Sequence, residues 1–299
     1  MFMLKTTFPK SNNSITSYRI SQIFKSLQGN INIIKSKTIH PIRSYSNVIP
    51  LTEKQKFRLK TELCDYSLIS FSKEFMDSKF SNLKNDIFIY PEFISEDESN
   101  ILLEQIEKKI KRYCREGYSK HHFDEKIDKY KEFSSHNWLP AYRSMHSRTL
   151  NSEEVINNLK NYYSPNDLAV IKILDKVWSL FPKSWAWIAP HVLDLNTGGN
   201  IKAHVDNPDY SGLYVGGISL LSSSVSTFRH ISDPNICFDV LLPPKSLYFF
   251  SNGIRYEFTH EITSTPEQRR WNNQNIPNNR RISIMFRDVN EESLLKVDL

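Results

Sequence analysis

The spacing of apolar residues changes near residue 185, and this change divides the chain into a helical part and a strand-rich part. From there on, short stretches rich in β-branched and aromatic residues alternate with Gly, Pro, Asn and Ser, which is typical of antiparallel strands. Eight such stretches follow one another: WAWIAPHVLDL, NIKAHVD, LYVGGISLLS, VSTFRHI, CFDVLLP, SLYFFS, IRYEFTHEI and RISIMFRDV. The pattern predicts a β-sandwich or jelly roll that begins at about residue 185.

Helical periodicity dominates the residues before that point. Ser95 and Glu98 have the spacing of a capping box, and apolar residues then recur at helical intervals, which predicts a helix over 96–113. Two further helices are predicted over 152–163 and 167–181. We expect the helices to pack on one sheet. The predicted fold is therefore α+β, a double-stranded β-helix (jelly roll) with helices packed against one sheet.

Residues 118–150 are polar and aromatic, and the stretch DEKIDKYKEF within them predicts a short helix over 124–133. His122 and Asp124 form an HxD pair where this helix would begin. Side chains two positions apart on a helix diverge by about 200°. We therefore do not expect this pair to bind one ion.

The chain carries a net charge of +6, but its excess of basic residues lies in the first 52 residues, which contain seven Lys or Arg and no Asp or Glu. The remainder has 32 basic and 33 acidic residues, which does not indicate a nucleic-acid-binding face. The Ser-, Lys- and Arg-rich leader predicts a mitochondrial transit peptide over 1–45, cut between Tyr45 and Ser46, and hence the mitochondrial matrix. The alternative is a disordered, Ser- and Asn-rich tail.

The lengths of apolar runs argue against a membrane-spanning protein, and the spacing of the cysteines argues against a protein built on disulfides or a zinc knuckle. No uninterrupted apolar run is long enough for a membrane span, so none is expected. Cys64, Cys114 and Cys237 lack CxxC spacing. This predicts neither a disulfide framework nor a zinc knuckle, and it fits a reducing compartment.

His204 and Asp206 form a second HxD pair, in a stretch that predicts a strand. Alternate residues of a strand share a face, so the imidazole and the carboxylate point the same way. His260, 54 residues after Asp206, ends another predicted strand and is a candidate third ligand. Two histidines and one carboxylate hold one face of an octahedral ion such as Fe(II) and leave three positions open. The same set also binds catalytic zinc, so the triad alone leaves the metal open.

The last predicted strand, RISIMFR, alternates between two faces. Ile282, Ile284 and Phe286 share one face, and the other carries Arg281, Ser283, Met285 and Arg287. A guanidinium inside a two-layered fold needs an anionic partner, and arginine forks a carboxylate with two hydrogen bonds. A dicarboxylate such as 2-oxoglutarate fits, with its distal carboxylate on Arg281. The alternative is an exposed edge strand with solvated arginines.

The pattern HVD…H…RxSxxFR resembles the AlkB-type branch of the Fe(II)/2-oxoglutarate dioxygenases, where the usual pattern is HxD, a distant His and RxNxxFR. The stretches IKAHVD, GISLLS and YEFTHEI are similar to the mitochondrial subgroup of that branch. The resemblance implies a dioxygenase domain over 91–290 with a jelly-roll core from about residue 185. It leaves an N-terminal extension at 46–90 and a C-terminal tail at 291–299.

Carried over residue by residue, the resemblance assigns a metal set and a cosubstrate set. The iron ligands correspond to His204, Asp206 and His260. The 2-oxoglutarate contacts correspond to Tyr248, Arg281, Ser283 and Arg287. Ser283 stands where many relatives have Asn. The cofactor implied is Fe(II), with 2-oxoglutarate as cosubstrate.

Two leucines depart from the pattern of the nucleic-acid-repairing members. Those enzymes have Asn and Tyr eleven and nine residues before the first iron histidine, where this chain has Leu193 and Leu195. The resemblance further implies that the mitochondrial subgroup lacks the lid that grips a flipped base. We therefore expect no DNA substrate. The aromatic residues within 118–142 leave contact with RNA or with protein open.

The expected function is a mitochondrial Fe(II)/2-oxoglutarate dioxygenase that hydroxylates a protein, linked by the resemblance to regulated necrosis and fatty-acid metabolism. Within the enzyme class, the alternative is an N-methyl demethylase of mitochondrial RNA. Outside it, the alternatives are a weakly catalytic jelly-roll binding module and a redox-inert zinc protein. The sequence sets neither the oxidised atom nor the oligomeric state.

Overall fold

A computed structural model describes residues 52–140, 143–144 and 163–290. The predicted transit peptide, the predicted helix over 152–163 apart from its last residue, and the predicted tail at 291–299 lie outside the described residues.

Eleven of the thirteen strands found in the described ranges form one antiparallel sheet in the order β1-β8-β7-β10-β5-β13-β6-β9-β2, with β4 also pairing with β5 and β3 with β4. The strands are β1 Ile69–Phe71, β2 Ile87–Tyr90, β3 Ser119–His121, β4 Ile127–Ser134, β5 His191–His204, β6 Val215–Leu220, β7 Ser224–His230, β8 Cys237–Leu242, β9 Leu247–Phe250, β10 Phe258–Ile262, β11 Arg270–Trp271, β12 Gln274–Asn275 and β13 Arg281–Arg287. The helices are α1 Glu53–Lys56, α2 Lys73–Asp77, α3 Glu96–Tyr113, α4 Pro165–Trp178 and α5 Asn252–Glu257.

Strand β5 joins two layers of this sheet. Its first half pairs with β13, where Leu195 lies opposite Arg281. Its second half pairs with β10, where His204 lies opposite His260. The layer β13-β6-β9-β2 and the layer β10-β7-β8-β1 face each other across a shared apolar core, which includes Val215 from the first layer. The predicted jelly roll is confirmed.

Helices α3 and α4 cover the outer face of the layer β13-β6-β9-β2, so the predicted packing of helices on one sheet is found for these two. In β2, Phe88 belongs to the core beneath the helices, whereas Ile87 and Ile89 belong to the core between the two layers. Helices α3 and α4 bury Ile106 and Trp178 in the first of these cores. Because alternate side chains of a strand point to opposite faces of the sheet, a strand such as β2 contributes to both cores of the fold.

Helix α3 begins and ends where the capping box and the apolar spacing predict. The Ser95 hydroxyl accepts a hydrogen bond from the Glu98 backbone N–H at 3.2 Å, and the Glu98 carboxylate accepts one from the Ser95 N–H at 2.9 Å. Lys176 of α4 donates to the same carboxylate at 2.8 Å. The cap therefore both starts α3 and ties it to α4.

The helix predicted over 124–133 is wrong, because these residues form most of strand β4. The strand register shifts between Asp128 and Tyr130, and Lys129 between them has a positive φ of 54°. Such a bulge adds one residue, so Ile127 and Tyr130, three apart, contact the same small core around Leu193. A bulged strand therefore imitates helical spacing in the sequence.

Two other segments differ from the predicted elements. The stretches WAWIAPHVLDL and NIKAHVD contribute to one strand, β5, rather than two, and IRYEFTHEI begins inside helix α5. Strands β1 and β2 precede residue 91 and pair with β8 and β9, so residues of the 46–90 segment contribute strands to the sheet. All three cysteines are free. Among the described helices, none has the length and apolarity needed to cross a membrane.

Replacing Ile106 by Ala tests the core beneath the helices. Ile106 is fully buried, so Ile106→Ala is expected to lower the free energy of unfolding by about 2–5 kcal/mol, measured by urea denaturation. Ile101 lies on the same helix and is 37% exposed. Ile101→Ala is the matched control, with an expected change below about 1 kcal/mol. Equal losses for the two variants would contradict the packing of α3.

Candidate metal centre and cosubstrate pocket

Three side chains predicted to bind metal meet at the edge where β5 and β10 pair. His204 and His260 are direct cross-strand partners, and their ring centroids are 4.4 Å apart. Asp206 follows His204 just beyond the end of β5, and its Oδ1 lies 3.4 Å from His204 Nε2 and 3.9 Å from His260 Nε2. The ligand atoms of the three residues lie within 4.8 Å of one another.

A backbone contact orients the first of these histidines. His204 Nδ1 lies 2.9 Å from the carbonyl oxygen of Lys202. A carbonyl only accepts, so Nδ1–H donates to it, and Nε2 is the nitrogen that faces Asp206. An imidazole that donates its second N–H to a backbone carbonyl is the usual support of a metal-binding histidine.

The site keeps its carboxylate ionised and its second histidine neutral. Burial opposes ionisation of Asp206 most strongly, yet Arg287, His204 and His260 together hold the pKa of this carboxyl well below its ordinary 3.8. Burial lowers the pKa of His260 to about 3, against the attraction of Asp206. Metal ligands must be deprotonated to bind, so both groups are in the required state.

The donor set fits a divalent ion. Asp206 Oδ2 is buried and has no hydrogen-bond partner among the described residues. A buried carboxylate oxygen without a hydrogen bond is costly, and a bound cation would reduce that cost. Two imidazole nitrogens and one carboxylate occupy one side of an ion, the arrangement of non-haem Fe(II) oxygenases.

A cavity opens between the two layers beside His260. Its lining includes Tyr248, Arg281, Ser283 and Met285, together with apolar residues of β7 and β8. Arg281 is 4% exposed. Within the described chain its Nε and Nη2 have no hydrogen-bond partner. These two atoms form the edge of the guanidinium that grips a carboxylate bidentately, so the cavity fits a dicarboxylate.

Tyr248 enters this cavity because its neighbour is a glycine. Tyr248 and Gly217 are cross-strand partners in β9 and β6. A Cβ at position 217 would lie 3.1 Å from the Tyr248 hydroxyl oxygen, so the tyrosine ring occupies the space that a side chain would fill. The pair GG inside an apolar strand is a sequence signal of such a close approach, and the prediction of Tyr248 did not rest on it.

Arg287 lies beside the metal ligands rather than in the cavity lining. Its Nε is 3.5 Å from Asp206 Oδ2, and its Nη2 is 3.9 Å from the sulfur of Met285. Met285 does line the cavity. Arg287 therefore stands between the metal centre and the cavity, where its first effect is on the charge of Asp206.

Leu193 and Leu195 form an apolar wall next to the cosubstrate residues. They lie opposite Ser283 and Arg281 in the β5–β13 register. On the other side they pack against Tyr130 of β4. The wall places apolar side chains, rather than hydrogen-bond donors, opposite Arg281 and Ser283.

The first HxD pair, His122 and Asp124, does converge, contrary to the prediction from a helix. His122 Nδ1 lies 2.6 Å from Asp124 Oδ1 in the turn between β3 and β4. His122 Nε2 lies 3.2 Å from Glu132 Oε1, and Glu132 Oε2 lies 3.1 Å from His191 Nε2. The pair therefore belongs to a chain of hydrogen-bonding groups along β4 and β5. The described residues bring together a metal-ligand set of three only at His204, Asp206 and His260.

Comparison with known proteins decides the family. The 2OG-Fe(II) oxygenase superfamily matches residues 86–287. The chain belongs to this superfamily. It is therefore an Fe(II)- and 2-oxoglutarate-dependent dioxygenase.

Relatives confirm the AlkB resemblance of this oxygenase. It is similar to the mitochondrial alpha-ketoglutarate-dependent dioxygenase alkB homolog 7 of Mus musculus, with 28% identity over 70% of this chain and 81% of the relative. The Bos taurus protein of the same name is 29% identical over 71% of this chain and 82% of the relative. Uncharacterized protein L905 of Acanthamoeba polyphaga mimivirus is 25% identical over 75% and 93%. The solved structure of OsALKBH1 matches with a TM-score of 0.36 and 15% identity, over 68% of this chain and 96% of that one.

Two groups of residues in the oxygenase have different expected roles. We expect His204, Asp206 and His260 to hold Fe(II), and Arg281, Tyr248 and Ser283 to bind 2-oxoglutarate. Bound together, iron and 2-oxoglutarate supply the activation of dioxygen. The residues of the protein would hold one side of the ion, leave its other side open and orient the cosubstrate beside it.

Exchanging one histidine of each HxD pair tests the metal ligands. His204→Ala removes a ligand and is expected to weaken Mn(II) binding to the metal-free protein by more than about 100-fold, because two donors hold an ion poorly. His122→Ala is the matched control and should bind Mn(II) like the wild type. Anaerobic calorimetric titration measures both. Wild-type affinity in His204→Ala would refute the ligand set.

Exchanging Arg281 tests the cosubstrate anchor. Arg281→Gln removes the bidentate charged fork and is expected to weaken 2-oxoglutarate binding by about 10- to 150-fold, the equivalent of a charged hydrogen-bonded pair. Arg270→Gln, at an exposed arginine on β11, should leave this binding unchanged. Titration of the Mn(II)-loaded protein with 2-oxoglutarate measures both. If the two variants bind alike, Arg281 is not the anchor.

Proposed function

We propose that this dioxygenase hydroxylates a polypeptide in the mitochondrial matrix. The observation that supports a polypeptide is the charge balance of the β3–β4 hairpin, residues 118–134, which lies beside the metal-binding end of β5. The backbone N–H of Lys202 donates to the carbonyl of Lys126 at 2.7 Å, two residues before His204. A substrate that approaches the metal from this side meets the hairpin.

The hairpin carries as many acidic as basic side chains. The basic ones are Lys120, Lys126, Lys129 and Lys131, and the acidic ones are Asp124, Glu125, Asp128 and Glu132. Lys126 forms an ion pair with Asp124 at 3.4 Å. Affinity for RNA comes mainly from cations that neutralise phosphates. The hairpin offers carboxylates in equal number, which repel phosphates.

The tip of the hairpin adds an apolar contact. Phe123 is 89% exposed and lies against the ring of His122, with centroids 4.1 Å apart. Exposed aromatic rings are enriched where proteins bind other proteins. An aromatic tip between balanced charges suits a polypeptide better than a phosphate backbone.

Two observations support a mitochondrial location. The Mus musculus and Bos taurus relatives are named mitochondrial. The first 52 residues are basic and contain no acids, which suits import. The links to regulated necrosis and fatty-acid metabolism stay predictions from the resemblance.

A trapping experiment followed by turnover tests the substrate class. Full-length enzyme loaded with Mn(II) and an unreactive 2-oxoglutarate analogue is cross-linked to mitochondrial extract, and both RNA and polypeptides are identified. Each recovered species is then incubated with Fe(II), 2-oxoglutarate and dioxygen. The expected result is a polypeptide that gains one oxygen atom, by mass spectrometry, and that His204→Ala leaves unmodified.

Two outcomes would overturn the proposal. Formaldehyde release from methylated RNA, without oxidation of any polypeptide, assigns the enzyme to N-methyl demethylation. A trapped partner that is never oxidised, with 2-oxoglutarate consumption unaffected by it, assigns the jelly roll to binding rather than catalysis.

A further inference from the structure

Arg255 of helix α5 is a buried cation that belongs to neither the proposed metal ligands nor the cosubstrate residues. It is 1% exposed. Its Nη1 donates to the backbone carbonyl of Asp206 at 2.7 Å. Its Nη2 donates to the Ser211 hydroxyl at 2.8 Å and to the carbonyl of Asn207 at 3.3 Å. All three acceptors lie in the turn 206–211 that begins with the proposed carboxylate ligand.

The cost of burying this charge suggests a specific task. In the described part of the chain, no carboxylate forms an ion pair with Arg255. Burial lowers the pKa of Arg255 from its ordinary value, although Asp206 opposes the effect. Burying a charge costs several kcal/mol, which an apolar side chain in the same space would avoid. An apolar side chain would leave the carbonyls of Asp206 and Asn207 without this donor.

The turn needs such a donor because the sheet ends before it. Strand β5 stops at His204, so strand pairing does not hold the backbone of Asp206. The far end of the turn is fixed where the Gly212 N–H donates to the carbonyl of Asp288 at 2.8 Å. Arg255 holds the near end, at the carbonyl of the ligand residue itself. Helix α5 continues directly into β10, which carries His260.

We propose that Arg255 is a positioning residue for the metal. By gathering the carbonyls of the 206–211 turn, it fixes the Asp206 carboxylate relative to His260 and so sets the affinity of the site for a divalent ion. This inference rests on the proposed ligand set of His204, Asp206 and His260.

The charge of Arg255 and its positioning of the turn have opposite effects on metal affinity, and this makes the inference testable. A guanidinium close to the site repels a dication, so loss of its charge alone strengthens metal binding. Loss of the hydrogen bonds that the guanidinium donates, called the fork here, releases the turn and weakens metal binding. Arg255→Lys keeps the charge and loses the fork, whereas Arg255→Met loses both. If position dominates, both variants bind metal more weakly.

The test titrates the metal-free full chain with Mn(II) alone, under anaerobic conditions and without cosubstrate. Arg255→Lys and Arg255→Met are expected to bind Mn(II) about 10- to 100-fold more weakly than the wild type, as for other residues that support metal ligands. The thermal midpoint of each metal-free variant is measured alongside, because lost stability alone does not change the metal affinity of the folded protein.

The chain offers a matched control. Arg269 is 2% exposed, and its guanidinium also donates to backbone carbonyls, those of Thr263, Ile276 and Pro277. Arg269→Lys and Arg269→Met should lose stability like the Arg255 variants but keep wild-type affinity for Mn(II). Equal weakening in the two series shows a general effect of losing a buried arginine and overturns the inference.

The remaining outcomes also decide it. Wild-type or tighter binding by the Arg255 variants overturns the positioning role and leaves the ligand set intact. Failure of the wild type to bind one Mn(II) per chain overturns the ligand set and this inference with it. If the Arg255 variants do not fold, Ser211→Ala replaces them. It removes one acceptor of Arg255 and is expected to weaken Mn(II) binding severalfold, and unchanged binding there would falsify the role.

Discussion

The register of strand β5 is the constraint on which the rest of the site depends. One half of this strand sets Leu195 opposite Arg281, and the other half sets His204 opposite His260. A shift by one residue would turn every side chain of the strand to the other face, removing His204 from the metal centre and the leucine wall from its position opposite Arg281 together. The strand is held between β4 on one side and β13 and β10 on the other, which leaves it little freedom to slip. The metal centre and the cosubstrate cavity are thus consequences of one pairing.

Positive charge is concentrated around a single carboxylate in this site. Arg255 and Arg287 both lower the pKa of Asp206, and Arg281 presents an open guanidinium edge in the adjacent cavity. A bound divalent ion would add to this positive charge, so the three guanidiniums together repel the ion. A dianionic cosubstrate offsets the excess. Electrostatics therefore favours the joint presence of metal and 2-oxoglutarate over the metal alone, and rigid placement of the ligands has to support binding before the cosubstrate arrives.

The sequence predicted those parts of the site that lie on regular elements. Alternation in β13 placed Arg281 and Ser283 on the face that the cavity uses, and strand spacing placed His204 beside Asp206. It failed where one residue breaks the period, as at Lys129, whose bulge made β4 look helical and led the His122–Asp124 pair to be judged divergent. It also missed Arg255. A guanidinium that bonds backbone carbonyls of a distant turn leaves no periodic trace, because its partners are chosen by the fold and not by side-chain type.

The apolar wall of Leu193 and Leu195 changes how the cosubstrate is held. Where a polar pair would share the binding of 2-oxoglutarate, this chain has side chains that donate no hydrogen bond, so we expect more of the binding to fall on Arg281. The two leucines surround the strand position opposite Arg281 with apolar groups, and an ion pair is stronger where the surroundings are less polar. We expect a single charged fork beside apolar side chains to do the work that several polar contacts would share. Because Leu195 lies directly opposite Arg281, we expect a polar residue at position 195 to make the surroundings of this guanidinium more polar and so to weaken its hold on the cosubstrate.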